Sequence, residues 1–145
     1  MIGLLQRVLE AKVDVGTECV ASIGAGLLVL VGVRPGDDEA AAQKLLARIL
    51  NYRIFSDEAG KMNLSLIQAR GALLLVPQFT LAAETHKGLR PGFSTAAPPE
   101  HGRAMFEHLV ATARTEQLRV QTGVFGAHMR VSLTNDGPAT FWLES

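Results

Sequence analysis
Two short segments, far apart in the chain, carry the residue types that could do chemistry. Pro77-Gln78-Phe79-Thr80-Leu81 closes an apolar run, and Asn135-Asp136-Gly137-Pro138-Ala139-Thr140 lies between two apolar stretches near the end of the sequence. In the first, Phe79 offers a flat apolar face able to receive a nucleobase, and the amides of Phe79 and Thr80 could donate to a developing oxyanion. The Thr80 hydroxyl is the weaker agent, because no histidine or lysine adjoins it to activate it. In the second, Asn, Asp and Gly all tolerate positive φ, so the segment alone reads as a hairpin turn. Pro138 alters that reading. It denies the following strand an amide donor and makes a cis peptide possible. A rigid Gly137-Pro138 unit of that kind could test the stereocentre of a bound amino acid by leaving no volume for a side chain on one side.

Other polar residues have weaker roles open to them. Arg7, on a mostly apolar or alternating first strand, carries a fork of donors that could orient a buried backbone turn; otherwise it is an exposed strand residue. His86, Lys87 and Arg90 lie in a polar loop and would suit the phosphates of a nucleic acid, the alternative being a solvated loop. His86, His101, His108 and His128 have no metal-ligand spacing, and no cysteine stands beside them. His101 and His108 are expected to share a solvated helix face. There is no Gly-x-Ser-x-Gly elbow, phosphate-cradling glycine loop or paired-carboxylate signature, and no metal or other cofactor is expected. The single Cys19 fits a reducing compartment and reads as a small buried apolar residue.

The elements that must position these residues follow from hydrophobic periodicity. Leu9, Ala11, Val13 and Val15 alternate with charged residues, so Ile2 to Val15 is strand-like with one wet face. Ala25 to Val33 and Ala72 to Val76 read as buried strands, the second stopped by Pro77. Residues 37–51 read as a helix opened by Asp37, Asp38 and Glu39. Pro98-Pro99-Glu100 opens a second helix with Met105, Phe106, Leu109, Val110 and Ala113 as its apolar stripe. Between them, Glu84 to Pro99 is a long polar loop. Met129 to Leu133 reads as a penultimate strand and Ala139 to Leu143 as the last. The order predicts an α+β, or mixed α/β, fold in which two helices cover a largely antiparallel sheet.

Composition sets the outer bounds. The 145 residues are 48% apolar, enough for one compact domain spanning 1–145. Fourteen basic and fourteen acidic side chains cancel, which argues against a nonspecific DNA or RNA binder. Met1 to Arg7 lacks the build of a secretory leader and no apolar run approaches a membrane span, so a soluble cytoplasmic protein without a membrane partner is expected.

Taken together on a chain of this length, the two motifs resemble the signature motifs of the D-aminoacyl-tRNA deacylases. The resemblance covers essentially the whole chain. Gln6-Arg7-Val8, Gly26-Leu27-Leu28-Val29, Tyr52-Arg53-Ile54-Phe55, Gly60-Lys61-Met62-Asn63, Arg90-Pro91 and Phe141-Trp142 also look like family segments in the expected order. It implies the family's barrel-like β layers and hydrolysis of the ester between a D-amino acid and its tRNA, with some glycyl-tRNA also accepted. It implies a homodimer with its sites at the subunit interface. Gln78, Phe79 and Thr80 of one subunit would line the pocket, and Gly137-Pro138, held by Arg7, would reach in from the other. Catalysis would be largely by backbone amides and the RNA itself, and Lys87 and Arg90 would face the tRNA. The family motif usually begins with Ser, and here that position is Pro77; a related animal-type branch acting on mischarged L-alanyl-tRNA has proline there. Gly92 also stands where Ser is frequent. Two readings from other classes are a non-catalytic tRNA-binding module and a small-molecule esterase.

Overall fold
The computed structural model describes residues 1–145. The apolar and alternating start of the chain is one long strand, β1 (Ile2–Val15), which turns at Gly16 into β2 (Glu18–Ile23) and continues to β3 (Gly26–Gly32). Helix α1 (Glu39–Asn51) follows, with Asp38 as its N-cap accepting from the Ala41 amide at 2.8 Å. A small separate hairpin pairs β4 (Phe55–Ser56) with β5 (Met62–Leu64). Next come β6 (Ala72–Pro77), a 3-10 turn (Phe79–Ala82), α2 (Pro99–Ala113), β7 (Val120–Thr122) and β8 (Arg130–Glu144).

All strands except β4 and β5 form one six-stranded sheet. β1 carries β8 along one edge, while its other edge pairs first with β3 over Ile2–Val8 and then with β2 over Ala11–Val15. Those three pairings are antiparallel. β3–β6 and β6–β7 are parallel, and each parallel step is crossed by a helix, as parallel neighbours require. β2 returns close to β6 and β7, so the sheet curls into a nearly closed barrel.

Two cores result. Leu5, Leu27, Val29, Leu73 and Leu75 pack under Leu45, Ile49, Phe106 and Leu109 of the helices. Val8, Ala11, Val13, Ala21, Leu28, Leu74 and Val76 fill the inside of the curl. β3 and β6 are therefore buried on both faces, which is why their sequences are continuous apolar runs instead of alternating ones. Gly26 is fixed by contact: a Cβ there would stand 2.0 Å from the Ala72 carbonyl oxygen.

Several expectations need correction. The last two predicted strands are one strand, β8, and Asn135 to Thr140 is an interruption within it, not a hairpin turn. The pairing of β1 advances from Val8 to Glu10 while β8 moves only from Asn135 to Thr134, so Leu9 is the extra residue of a β-bulge. Leu9 is 56% exposed and Val8 takes the inward place instead. Cys19 is exposed on β2, a strand the apolar pattern did not reveal. His101 and His108 turn toward the start of α1 instead of into solvent. His101 Nε2 lies 2.7 Å from the Asp37 carbonyl oxygen, and His108 Nδ1 lies 3.9 Å from Glu39.

Candidate active site
The first motif leaves β6 at a sharp corner. The Gln78 amide still donates to the Val31 carbonyl at 2.7 Å, and the chain then enters the 3-10 turn, closed by the Leu81 amide on the Gln78 carbonyl at 3.2 Å. Phe79 and Thr80 open that turn, so their N–H groups have no acceptor within it. The Gln78 side chain donates through Nε2 to the Thr80 hydroxyl. Phe79 is 57% exposed and packs at 5.1 Å on Phe93 from the long loop, with the rings tilted by 56°. The corner sits directly on β3 because Gly32 has no side chain: a Cβ there would meet Leu81 Cβ at 3.0 Å and the Gln78 carbonyl oxygen at 3.3 Å.

Beside this corner is a cavity of 440 Å³, predominantly apolar, between β6, α2 and the segment before β8. Pro77, Gln78 and Phe79 form one side, and Phe106, Phe125 and Met129 stand among its other walls. Of the residues singled out in sequence, Gln78 and Phe79 line it. Thr80 sits next door, exposed, and Lys87 and Arg90 lie on the exposed loop outside it. The loop is anchored by reciprocal Glu84–Gly92 backbone bonds, by Thr95 Oγ1 donating to Ala82 and by the Ala97 amide donating to Val33. The far walls were not legible in the sequence; their one signal was the aromatic-glycine pair Phe125-Gly126 outside any predicted element.

The second motif stands elsewhere on the chain and contributes nothing to that cavity. Between the pairs Gln6–Thr140 and Val8–Asn135, all of Asp136 to Ala139 stands opposite the single residue Arg7. The Gly137-Pro138 peptide in this bulge is cis, and Gly137 has φ +136°. Asn135 staples the bulge from both sides: its Oδ1 accepts from the Ala139 amide at 2.7 Å and its Nδ2 donates to the Thr140 hydroxyl at 2.8 Å. Arg7 is 8% exposed and supports it from beneath. Its Nε donates to the Asp136 carbonyl at 3.0 Å and its Nη1 to the Ile54 carbonyl at 2.6 Å. Gly137 and Pro138 themselves are exposed, presented outward by a buried support. No cluster of three or more His, Cys, Asp or Glu side chains forms anywhere in the chain.

Residues 4–144 match the family described as D-Tyr-tRNA(Tyr) deacylase. The chain belongs to that family. It is similar to a D-aminoacyl-tRNA deacylase of Thioalkalivibrio sulfidiphilus, 62% identical across 99% of this chain and 97% of that one. A protein of the same description from Pseudomonas aeruginosa is 61% identical over the full length of both. Among solved structures, the fold is similar to one described as c-Myc DNA Unwinding Element Binding Protein. Its TM-score is 0.95, with 36% identity over 100% of this chain and 99% of that one. A structure described as a probable eukaryotic D-amino acid tRNA deacylase has the same fold, with a TM-score of 0.87, 18% identity and coverage of 99% and 98%. Family membership makes the chain an ester hydrolase, and the fold expected from the resemblance is the one observed. No helix is long and apolar enough to cross a membrane.

Proposed function
We propose that this protein hydrolyses the ester joining a D-amino acid to the 3′ end of tRNA, releasing the free amino acid and tRNA. The observation that carries this reading is the full-length match to proteins described as D-aminoacyl-tRNA deacylases. The geometry supports it in three places. The unpaired amides of Phe79 and Thr80 are suited to an oxyanion, and Gln78 steadies Thr80 beside them. The apolar cavity flanked by Phe79, Phe106 and Phe125 suits the flat terminal base. The exposed Gly137-Pro138 unit on its Arg7 support suits a chiral screen.

Gly137 and Pro138 do not line the cavity of their own chain, which supports a screen supplied in trans. A homodimer sets Gly137-Pro138 of one subunit over Gln78, Phe79 and Thr80 of its partner. A D-configured aminoacyl group then fits and an L-configured one meets the screen, while glycine, without a side chain, is not excluded. Attack by water on the ester carbonyl forms a tetrahedral oxyanion held by the amides. Its collapse breaks the bond to the ribose oxygen, which takes up a proton as the tRNA leaves. The RNA's neighbouring ribose hydroxyl assists in place of a protein base. Lys87 and Arg90 contact the acceptor end, and no cofactor takes part.

The test is deacylation of matched D-tyrosyl-tRNA and L-tyrosyl-tRNA by substoichiometric protein, with a chelator control. Loss of the D-ester alone supports the reading. Loss of neither ester, with tRNA still bound, replaces it with a binding module. Pro77, half-buried at the cavity wall, favours one alternative, an enzyme redirected to mischarged L-alanyl-tRNA; hydrolysis of that ester in preference to the D-ester decides for it.

A further inference from the structure
We infer that Arg103 and His128 form a phosphate-binding rim where the nucleic-acid strand leaves the Phe79–Phe125 cavity. The inference rests on the proposed function, in which that cavity receives the terminal base. A base lodged there stays joined to its 5′ neighbour through a phosphodiester, so at least one phosphate must cross the cavity's edge. In a chain with no net charge, a local cation must meet it.

The edge holds such a cation in a fixed place. The Arg103 guanidinium lies 4.8 Å from the centroid of Phe125, a wall of the cavity. Its Nη2 lies 3.8 Å from where a Cβ on Gly126 would stand, so the positively turned Gly126 backbone leaves the corner open to it. Stacking occupies one face of the guanidinium and leaves its edge donors free, the side that binds phosphate bidentately. Its single ionic contact is Glu107 at 3.7 Å, with both side chains more than half exposed. A pair of that kind contributes little and yields readily to a phosphate. His128 is the one ionisable side chain lining the cavity, it is exposed, and its ring nitrogens have no hydrogen-bond partner within the chain. Lys87 and Arg90 sit outside the cavity and do not occupy this position.

The test compares the unchanged protein with Arg103→Gln, Arg103→Lys and His128→Gln, on D-tyrosyl-tRNA and on D-tyrosyl-adenosine, which has no phosphodiester. Binding of uncharged tRNA is measured in parallel across a salt series. Arg103→Gln is expected to raise KM for the tRNA ester severalfold and leave kcat unchanged. It lowers the slope of log affinity against log salt by about 0.7–1. Hydrolysis of the adenosine ester and the thermal midpoint stay as they were. Arg103→Lys restores the slope, and His128→Gln lowers it by less than Arg103→Gln does. Equal losses on both esters would make Arg103 a support for Phe125 and overturn the inference, as would an unchanged salt slope. If neither ester is hydrolysed by the unchanged protein, the proposed function fails; the salt slopes for uncharged tRNA still decide whether Arg103 meets a phosphate.

Discussion

Arg7 Nε stands 3.0 Å from the carbonyl oxygen of Asp136, across the larger of the two places where β1 and β8 lose their one-to-one pairing. The same guanidinium holds the Ile54 carbonyl beyond α1, so one buried side chain joins three segments that meet nowhere else in sequence. Replacing it by methionine keeps most of the volume and removes every donor. Arg7→Met should lower stability by about 2–4 kcal/mol, because buried carbonyls are left without partners. Urea denaturation reads this as a lower midpoint at unchanged slope. A loss under about 1 kcal/mol would mean that water replaces the guanidinium. Arg7→Lys should recover only part, since an ammonium lacks the fork that serves two acceptors.

Gly32 controls how closely the Phe79–Ala82 turn lies on β3. In Gly32→Ala the new methyl must displace Leu81 or the Gln78 carbonyl, both tied to the backbone of the turn. We expect kcat/KM on D-tyrosyl-tRNA to fall about tenfold or more, since small displacements of a positioned group cost that much. Gly36→Ala, at a site with nothing within 4 Å, is the control and should leave the rate unchanged. Equal rates for both variants would separate the turn from the chemistry.

Thr80 offers a hydroxyl and an amide, and the proposed chemistry uses the amide. Thr80→Val keeps the amide and breaks the contact with Gln78. Its kcat should stay within about tenfold of the unchanged enzyme, whereas losing one oxyanion donor costs about 10²–10³-fold. A single-turnover rate reduced to that second range would assign the hydroxyl a direct part.

Glu144 has its carboxyl held below the ordinary glutamate range, chiefly by hydrogen bonds from Arg34 and then from Trp142 Nε1. A lowered folded-state value places the stabilisation above the ordinary value of about 4.3. It is lost as pH falls through the depressed one. The pair is exposed, so its contribution is under about 1 kcal/mol. Glu144→Gln should therefore be slightly less stable at neutral pH, and the gap should close in acid. A gap that persists at pH 2 would assign the loss to something other than charge.

How much of this was legible in the sequence differs from element to element. β3, β6 and both helices announce themselves, because each is buried on a face long enough to leave a clear apolar period. β2 does not: Cys19 and Ser22 are exposed, and its inward residues Ala21 and Ile23 are too few to stand out. Leu9 departs from the alternation because a bulge shifts the inward face by one residue, and a bulge is set by the partner strand, not by local spacing. The two motifs were visible as residue types. Their separation on the folded chain was not, nor were the walls Phe106 and Phe125, which α2 and the segment before β8 bring together with ring centroids 6.4 Å apart.

β1 and β8 pair along nearly their whole length, yet β2 to β7 lie between them in chain order. On a ribosome making about 5–20 residues per second, one edge of β1 stays unpaired for roughly ten seconds. During that interval it is a template for any other nascent strand. Glu10, Lys12 and Asp14 alternate along the stretch that β8 will later cover, and their charges repel or desolvate badly against a foreign edge. The wet face of β1 thus guards the chain against aggregation while it waits for its own last strand.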